Sequence, residues 1–288
     1  LRRLPQRRAV VDLARARAPF TDGLYESHYL TATDPAGGRA LWLRHTSLHG
    51  RPSVWVTWFD PEPHARRLEL DEPLSSTDWP RCSIAELTGT TARGELDGTG
   101  WDLQWEPLAA PLPYLPTERL YDRALPRSNG AAVVPHALVH GRYGETSLDG
   151  WHGVVGHNWG REHADQWCWL HTALPEGWLD LVLVRVRVGP LLTPWIAGGG
   201  VHVDGALRRT RPGRVRLDHQ GDRTVAEVPL RGGHVTVDVR AEHHVTWDYD
   251  SPRGPGRVVR NCSVADATVT LDAGRTWQLR GTVAVEHG

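Results

Sequence analysis

The sequence predicts an all-β protein, a barrel or sandwich built twice. Three observations carry this. Short segments alternate apolar and polar residues and are rich in aromatic and β-branched side chains. The gaps between them are brief Gly, Pro and Asp turns. No segment after residue 20 shows a sustained helical period. At 288 residues the chain is long enough for two units of ordinary size.

The elements follow in order. Residues 1–19, LRRLPQRRAVVDLARARAP, carry six arginines against one acid, Asp12. Val10, Leu13 and Ala14 recur at helical spacing and Pro19 would end a helix, so this reads as a short basic N-terminal helix or arm. Such a segment could dock on the body or make a weak contact with an anionic membrane surface. Strands begin with LYESHYLTA (24–32), RALWLRHT (39–46) and SVWVTWFD (53–60), joined by the turns DPAGG and SLHGRP. A sparser set runs through SIAELTG and GWDLQWEP. Five prolines between residues 107 and 128, with an Asn-Gly pair just beyond, place a boundary near residue 125. The expected organisation is therefore an arm over 1–19, a first β domain over 20–125 and a second over 126–288.

The second half repeats the style in VVPHALVHG (133–141), GVVGHNWG (153–160), DQWCWLHT (165–172), LDLVLVRVRV (179–188) and WIAGGGVHVDG (195–205). Further short strands continue to the C-terminal end. The GGG run at 198–200 predicts a bulge or a close backbone approach. WLRHT (42–46) and WLHT (169–172) are a faint internal echo.

Composition narrows the function. A net charge of −1 gives no field that would steer the chain to nucleic acid, and none is expected as a partner. Cys82, Cys168 and Cys262 are too few and too scattered for a disulfide framework or a zinc site. No run approaches the ~18 apolar residues of a membrane helix. The cytoplasm is the expected location, with peripheral membrane contact through residues 1–19 as the variant. Trp (14) far outnumbers Phe (2), more than a core of this size needs, so some tryptophans are expected to line a cavity.

GVVGHNWGREHADQWCWLH, 153–171, holds three histidines and three tryptophans. His157 and Trp159 share one strand face, with Asn158 on the other; Trp167, Trp169 and His171 share a face on the next strand. Glu162 and His163 lie in the connecting loop. Facing inward, these residues would wall an aromatic pocket with a few polar points, the usual form of a small-molecule site. The same residues also read as ordinary core packing. In the first half Glu26 and His28 share a face with Leu24 and Leu30, and a carboxyl group held there is a candidate proton donor or an arginine-paired carboxylate. Trp42 and Trp58 are candidate walls, and Asn261 is a candidate donor or a turn-side amide. The histidine spacing matches no zinc pattern, so no metal is expected. There is no G-x-S-x-G elbow, P-loop or dinucleotide fingerprint.

GHNWG (156–160), the Trp-x-Trp of 167–169 and the upstream YESHYLTATDPAGGRALWLRHT resemble the signature of the carotenoid 1,2-hydratase (hydroxyneurosporene synthase) superfamily. That group includes AttH-like proteins and is similar to tocopherol cyclases and lipocalin-like Diels–Alderases. The resemblance implies two packed lipocalin-like barrels with a ligand cavity. It also implies hydration, cyclisation or isomerisation of an isoprenoid or polyene without metal or redox cofactor. Non-catalytic carriage of the same kind of apolar ligand is the alternative. On this resemblance Glu26, His157 and Glu162 are the candidate catalytic residues. His28, Trp42, Trp58, Asn158, Trp159, His163, Trp167, Trp169, His171 and Asn261 are the candidate binding residues. The hydratases carry His-Asp-His-Asn-Trp-Gly; here Val155 and Gly156 stand at the first two positions. Glu26, Glu162 or a protonated histidine would have to replace the missing acid.

Overall fold

The computed structural model describes residues 12–17, 23–73, 79–121, 128–253, 255–272 and 274–288. The first sheet is built from β1 (Tyr25–Thr33), β2 (Ala40–Leu48), β3 (Arg51–Asp60), β4 (Glu62–Glu69), β5 (Ala85–Leu87), β6 (Thr91–Leu96), β7 (Thr99–Pro107), β8 (Leu112–Pro113), β9 (Ser128–Tyr143), β10 (Thr146–Ser147) and β11 (Trp151–Gly160). The second takes β12 (Gln166–Leu174), β13 (Gly177–Arg185), β16 (Ile196–Val203), β17 (Ala206–Arg209), β18 (Arg216–Gln220), β19 (Arg223–Leu230), β20 (Gly233–Arg240), β21 (Val245–Tyr249), β22 (Arg257–Leu271) and β23 (Arg275–His287). The small β14 (Arg187–Val188) and β15 (Leu191–Leu192) pair with each other beside it. Every pairing is antiparallel, and one sheet curls into a half-barrel. The all-β expectation holds.

The first sheet runs β4-β3-β2-β1-β11-β9-β7-β6-β5, so β11 returns from far along the chain to lie beside β1. The chain therefore changes sheet in loop 161–165, not near residue 125. The prolines of 107–128 are a detour between β7 and β9 within one sheet. The expected N-terminal helix is not seen over residues 12–17, which run as an irregular strap; residues 1–11 and 18–19 lie outside the described residues.

Two cores result. Leu30, Leu41, Leu43, Val54, Val56 and Val155 pack inside the first sheet. Leu170, Leu181, Val228, Val237 and Val269 pack in the second, together with Trp42, Trp55 and Phe59 from β2 and β3. Alternation explains the split. Leu41 and Leu43 point to one side of β2 and Trp42 to the other, and both sides are covered. A third cluster joins the sheets, with Tyr29, Leu112 and Val154 from one and Trp169, Trp178 and Ala284 from the other. Register shifts in β11 around Val155 mark a bulge, which bends the strand beside the site. The GGG run behaves as its composition predicts. A Cβ on Gly198 would strike the backbone carbonyl of Tyr114, and Gly199 has φ +99°. The three cysteines are buried and unbridged.

Candidate functional site

The sheet separates the sequence-predicted residues into two compartments. β1 and β11 pair with Glu26 opposite Trp159, His28 opposite His157 and Tyr29 opposite Gly156. Directly paired residues share a face. Glu26, His28, His157 and Trp159 therefore look into the first sheet, and Tyr29 and Asn158 look toward the second.

On the inner face the strap 12–17 closes over a stacked cluster. The His28 and His157 rings lie 3.8 Å apart, and His157 stacks on Trp159 at 4.4 Å. His157 Nδ1 donates to the Leu13 carbonyl (2.7 Å), and its Nε2 lies 2.8 Å from Glu26 Oε1. His28 Nε2 donates to the Ala14 carbonyl (2.9 Å), the Arg17 N–H donates to Glu26 Oε1 (2.7 Å), and Arg17 covers the Trp159 ring. Burial pushes His157 down to about 3 and His28 well below the ordinary histidine range. Burial thus favours the neutral ring in both, but with Nδ1 of His157 donating to the Leu13 carbonyl, the short contact between its Nε2 and Glu26 Oε1 must hold one proton shared by ring and carboxyl. Glu26, His28 and His157 offer metal-ligand atoms within 4.8 Å of one another. Both nitrogens of His157 are already engaged, so coordination would have to displace the strap or the carboxyl contact.

On the outer face lies a cavity of about 380 Å³ between the sheets. Tyr29 and Trp42 wall it from the first sheet, Trp167, Trp169 and Val182 from the second, and Tyr114 from the β8–β9 connection. Asn158 and His163 also reach it. Trp42 and Trp169, the tryptophans of the internal echo, thus face one space from opposite sheets. Asn158 Oδ1 is buried without a hydrogen-bond partner among the described residues.

Polar chemistry reaches this cavity through Tyr114, Asp180, Tyr249 and Glu286, which the strand patterns did not single out, joined by His171, Trp167 and Asn261, which they did. Tyr114 donates to Oδ1 of fully buried Asp180 (2.6 Å), and His171 Nδ1 lies 3.1 Å from Oδ2. Glu286 accepts from Trp167 Nε1 (3.0 Å) and from the Tyr249 hydroxyl (2.9 Å), and Asn261 Nδ2 reaches it at 3.5 Å. Burial, reinforced by the Asp180 charge, holds Tyr29 and Tyr114 well above the ordinary tyrosine range. Both remain protonated hydroxyls. Asp180 did carry a sequence signal, an acid inside the apolar run LDLVLV, and Glu286 ends a similar run.

The remaining candidates scatter. His163 packs on Tyr25 (4.0 Å) and contacts the Asp250 carbonyl, with its pKa pushed down to about 4 by burial. Trp58 stacks on Tyr143 and Trp151 in the first core, away from both compartments. Glu162 is half-buried in loop 161–165.

Position 156 has no room for a side chain. A Cβ there would overlap the Tyr29 ring and hydroxyl. The phenol occupies the room that a side chain at 156 would need.

No family model matches the chain. Two Mycobacterium tuberculosis proteins, uncharacterized protein Rv0493c and uncharacterized protein MT0513, are each 31% identical to it over 294 aligned residues, covering 92% of this chain and 86% of their own. Among solved structures, CghA with Sch210972 matches at TM-score 0.64 and 13% identity, over 95% of this chain and 93% of that one. CghA alone matches at TM-score 0.64 and 12% identity, over 92% and 87%. The fold is shared with CghA.

Proposed function

The chain belongs to the family of uncharacterized protein Rv0493c of Mycobacterium tuberculosis, and we propose that it binds an apolar isoprenoid-, polyene- or polyketide-like small molecule between its sheets and promotes its isomerisation or cyclisation. One observation carries this reading: an aromatic-walled cavity of about 380 Å³ lined by Tyr114, whose hydroxyl is bonded to Asp180 behind it and through Asp180 to His171. That CghA, of the same fold, was solved with Sch210972 supports a small-molecule ligand.

The chemistry follows from the protonation states. A phenol held above its usual pKa is a poor acid toward an isolated alkene, and position 156 carries no carboxyl group. Hydration started by a strong acid at that position therefore loses its donor. Instead, the Tyr114 oxygen can take a proton from an activated C–H as its own proton passes to Asp180, which His171 orients. Tyr29 stands beside it as a neutral hydrogen-bond donor for developing negative charge on a carbonyl. Trp169 and Trp42 offer faces to an apolar or cationic portion. Non-catalytic carriage is the second reading. It draws support from the enclosure of Glu26 and His157 beneath the strap, which leaves the cavity without them.

The test uses tryptophan fluorescence with a panel of polyenes and prenylated quinones, followed by product analysis in D2O. The expected result is quenching through Trp167 and Trp169, with deuterium entering the ligand. Tyr114→Phe and Asp180→Asn should keep binding and lose turnover by ~10²–10⁴-fold. Binding without exchange would assign the carrier role. No quenching by any member would overturn the cavity reading.

A further inference from the structure

Arg44 on β2 is a buried cation with no salt bridge to a carboxylate among the described residues. It is 4% exposed, and its guanidinium lies 3.7 Å over the Tyr249 ring and 5.1 Å from the Trp55 ring. Its Nε donates to Ser27 Oγ (2.6 Å), while Nη1 is buried without a hydrogen-bond partner among the described residues. The carboxylates around it are engaged elsewhere. Glu286 holds Trp167 and Tyr249, Asp250 and Glu69 pair with Arg67, and Glu26 holds His157 and the Arg17 N–H. Taking a guanidinium out of water without a direct ion pair is unfavourable, and aromatic faces return only part of the loss.

Its place is as telling as its state. Beside the apolar cavity lies a second one of about 350 Å³, whose polar lining includes Thr46, Ser47, Ser53 and Arg67, with Glu69 and Asp250 paired to Arg67 and Glu26 bonded to His157. Arg44 borders both, together with Tyr25, His163 and Tyr249. A ligand whose apolar body fills the first space would put its end against Arg44.

We propose that Arg44 binds the carboxylate head group of an otherwise apolar ligand. This rests on the cavity reading above and narrows its substrate to amphipathic acids. A planar anion would accept from Nη1, supplying the partner it lacks in a direct ion pair. Orientation follows: the head is held at Arg44, and the body runs past Trp169 toward Tyr29 and Tyr114.

The test compares all-trans-retinoic acid with all-trans-retinol, one polyene body with and without a carboxylate. Each is titrated by tryptophan quenching at pH 7.5. The wild-type chain should prefer the acid by at least about tenfold. Arg44→Gln should bring that preference to within about twofold, while Arg44→Lys should keep part of it. Equal binding of both probes by the wild type would overturn the head-group assignment and leave the cavity standing. An undiminished preference in a folded Arg44→Gln would overturn it too. Binding of neither probe would overturn the cavity reading and this proposal with it. The wild-type comparison decides even if Arg44→Gln does not fold.

Discussion

Gly156 and Tyr29 compete for one space beside the cavity. The two residues pair across β1 and β11, and the tyrosine ring lies where a side chain at 156 would begin. Gly156→Asp should therefore destabilise the fold by about 1–3 kcal/mol, because an over-packed interior must push the ring aside. Tyr29→Ala should make room. In the double variant the loss should be smaller than the sum of the two single losses by roughly 0.5–3 kcal/mol, read from urea midpoints. Strict additivity would mean that the ring moves freely and the pairing is incidental. The departure at 156 was legible in the sequence. The ring that fills the space there was not, since Tyr29 lies 127 positions earlier and only strand pairing brings it near. Asp180 and Arg44 were hidden differently. A single charge in an apolar strand is visible, but its partner, or lack of one, is a tertiary fact.

At the scale of elements, period-two patterning located the strands, because each half-buried ribbon repeats its chemistry every second residue. It could not say which face was which. β1 is buried at all nine positions, so alternation there separates two interiors, not inside from outside. That is why His157 and Trp169 looked like one wall from the sequence and stand in different compartments. The strap shows the opposite limit. Leu13 and Ala14 have helical spacing, but their carbonyls accept from His157 and His28, and the Arg17 N–H goes to Glu26. Tertiary hydrogen bonds take the groups a helix would use. Deleting residues 1–17 should open that cluster to water and return the His157 pKa from about 3 toward 6.5, measured by NMR titration of the ring. Stability should fall by about 0.5–1.5 kcal/mol for each strap hydrogen bond lost, because the freed groups then bond to water. An unmoved His157 titration would show that the strap does not control its burial.

Over the whole molecule, buried histidines set the response to acid. Burial alone pushes His45 down to about 4, and burial foremost also depresses His136 to about 4 and His287 to about 3. In the unfolded chain each would bind its proton near 6.5. Between those values the unfolded state holds more protons than the folded one, so stability rises with pH across the window. It is fully present above about 6.5 and drains as the pH falls toward 4. For His45, which is 4% exposed, the difference is on the order of 3 kcal/mol. Two or three such groups rival the ~5–15 kcal/mol that holds a typical domain together. Urea midpoints should therefore be flat from pH 8 to 7 and begin to drop near 6.5, well before the carboxylates titrate. His45→Gln removes one of these proton sites, so its midpoint should fall less steeply from pH 6.5 to 4.5, whatever its stability at pH 8. A midpoint that stays level down to pH 5 would mean that these rings reach water in the folded state. The two cores would then be looser than their packing shows, and a cavity between them would have no dry wall against which to hold an apolar ligand.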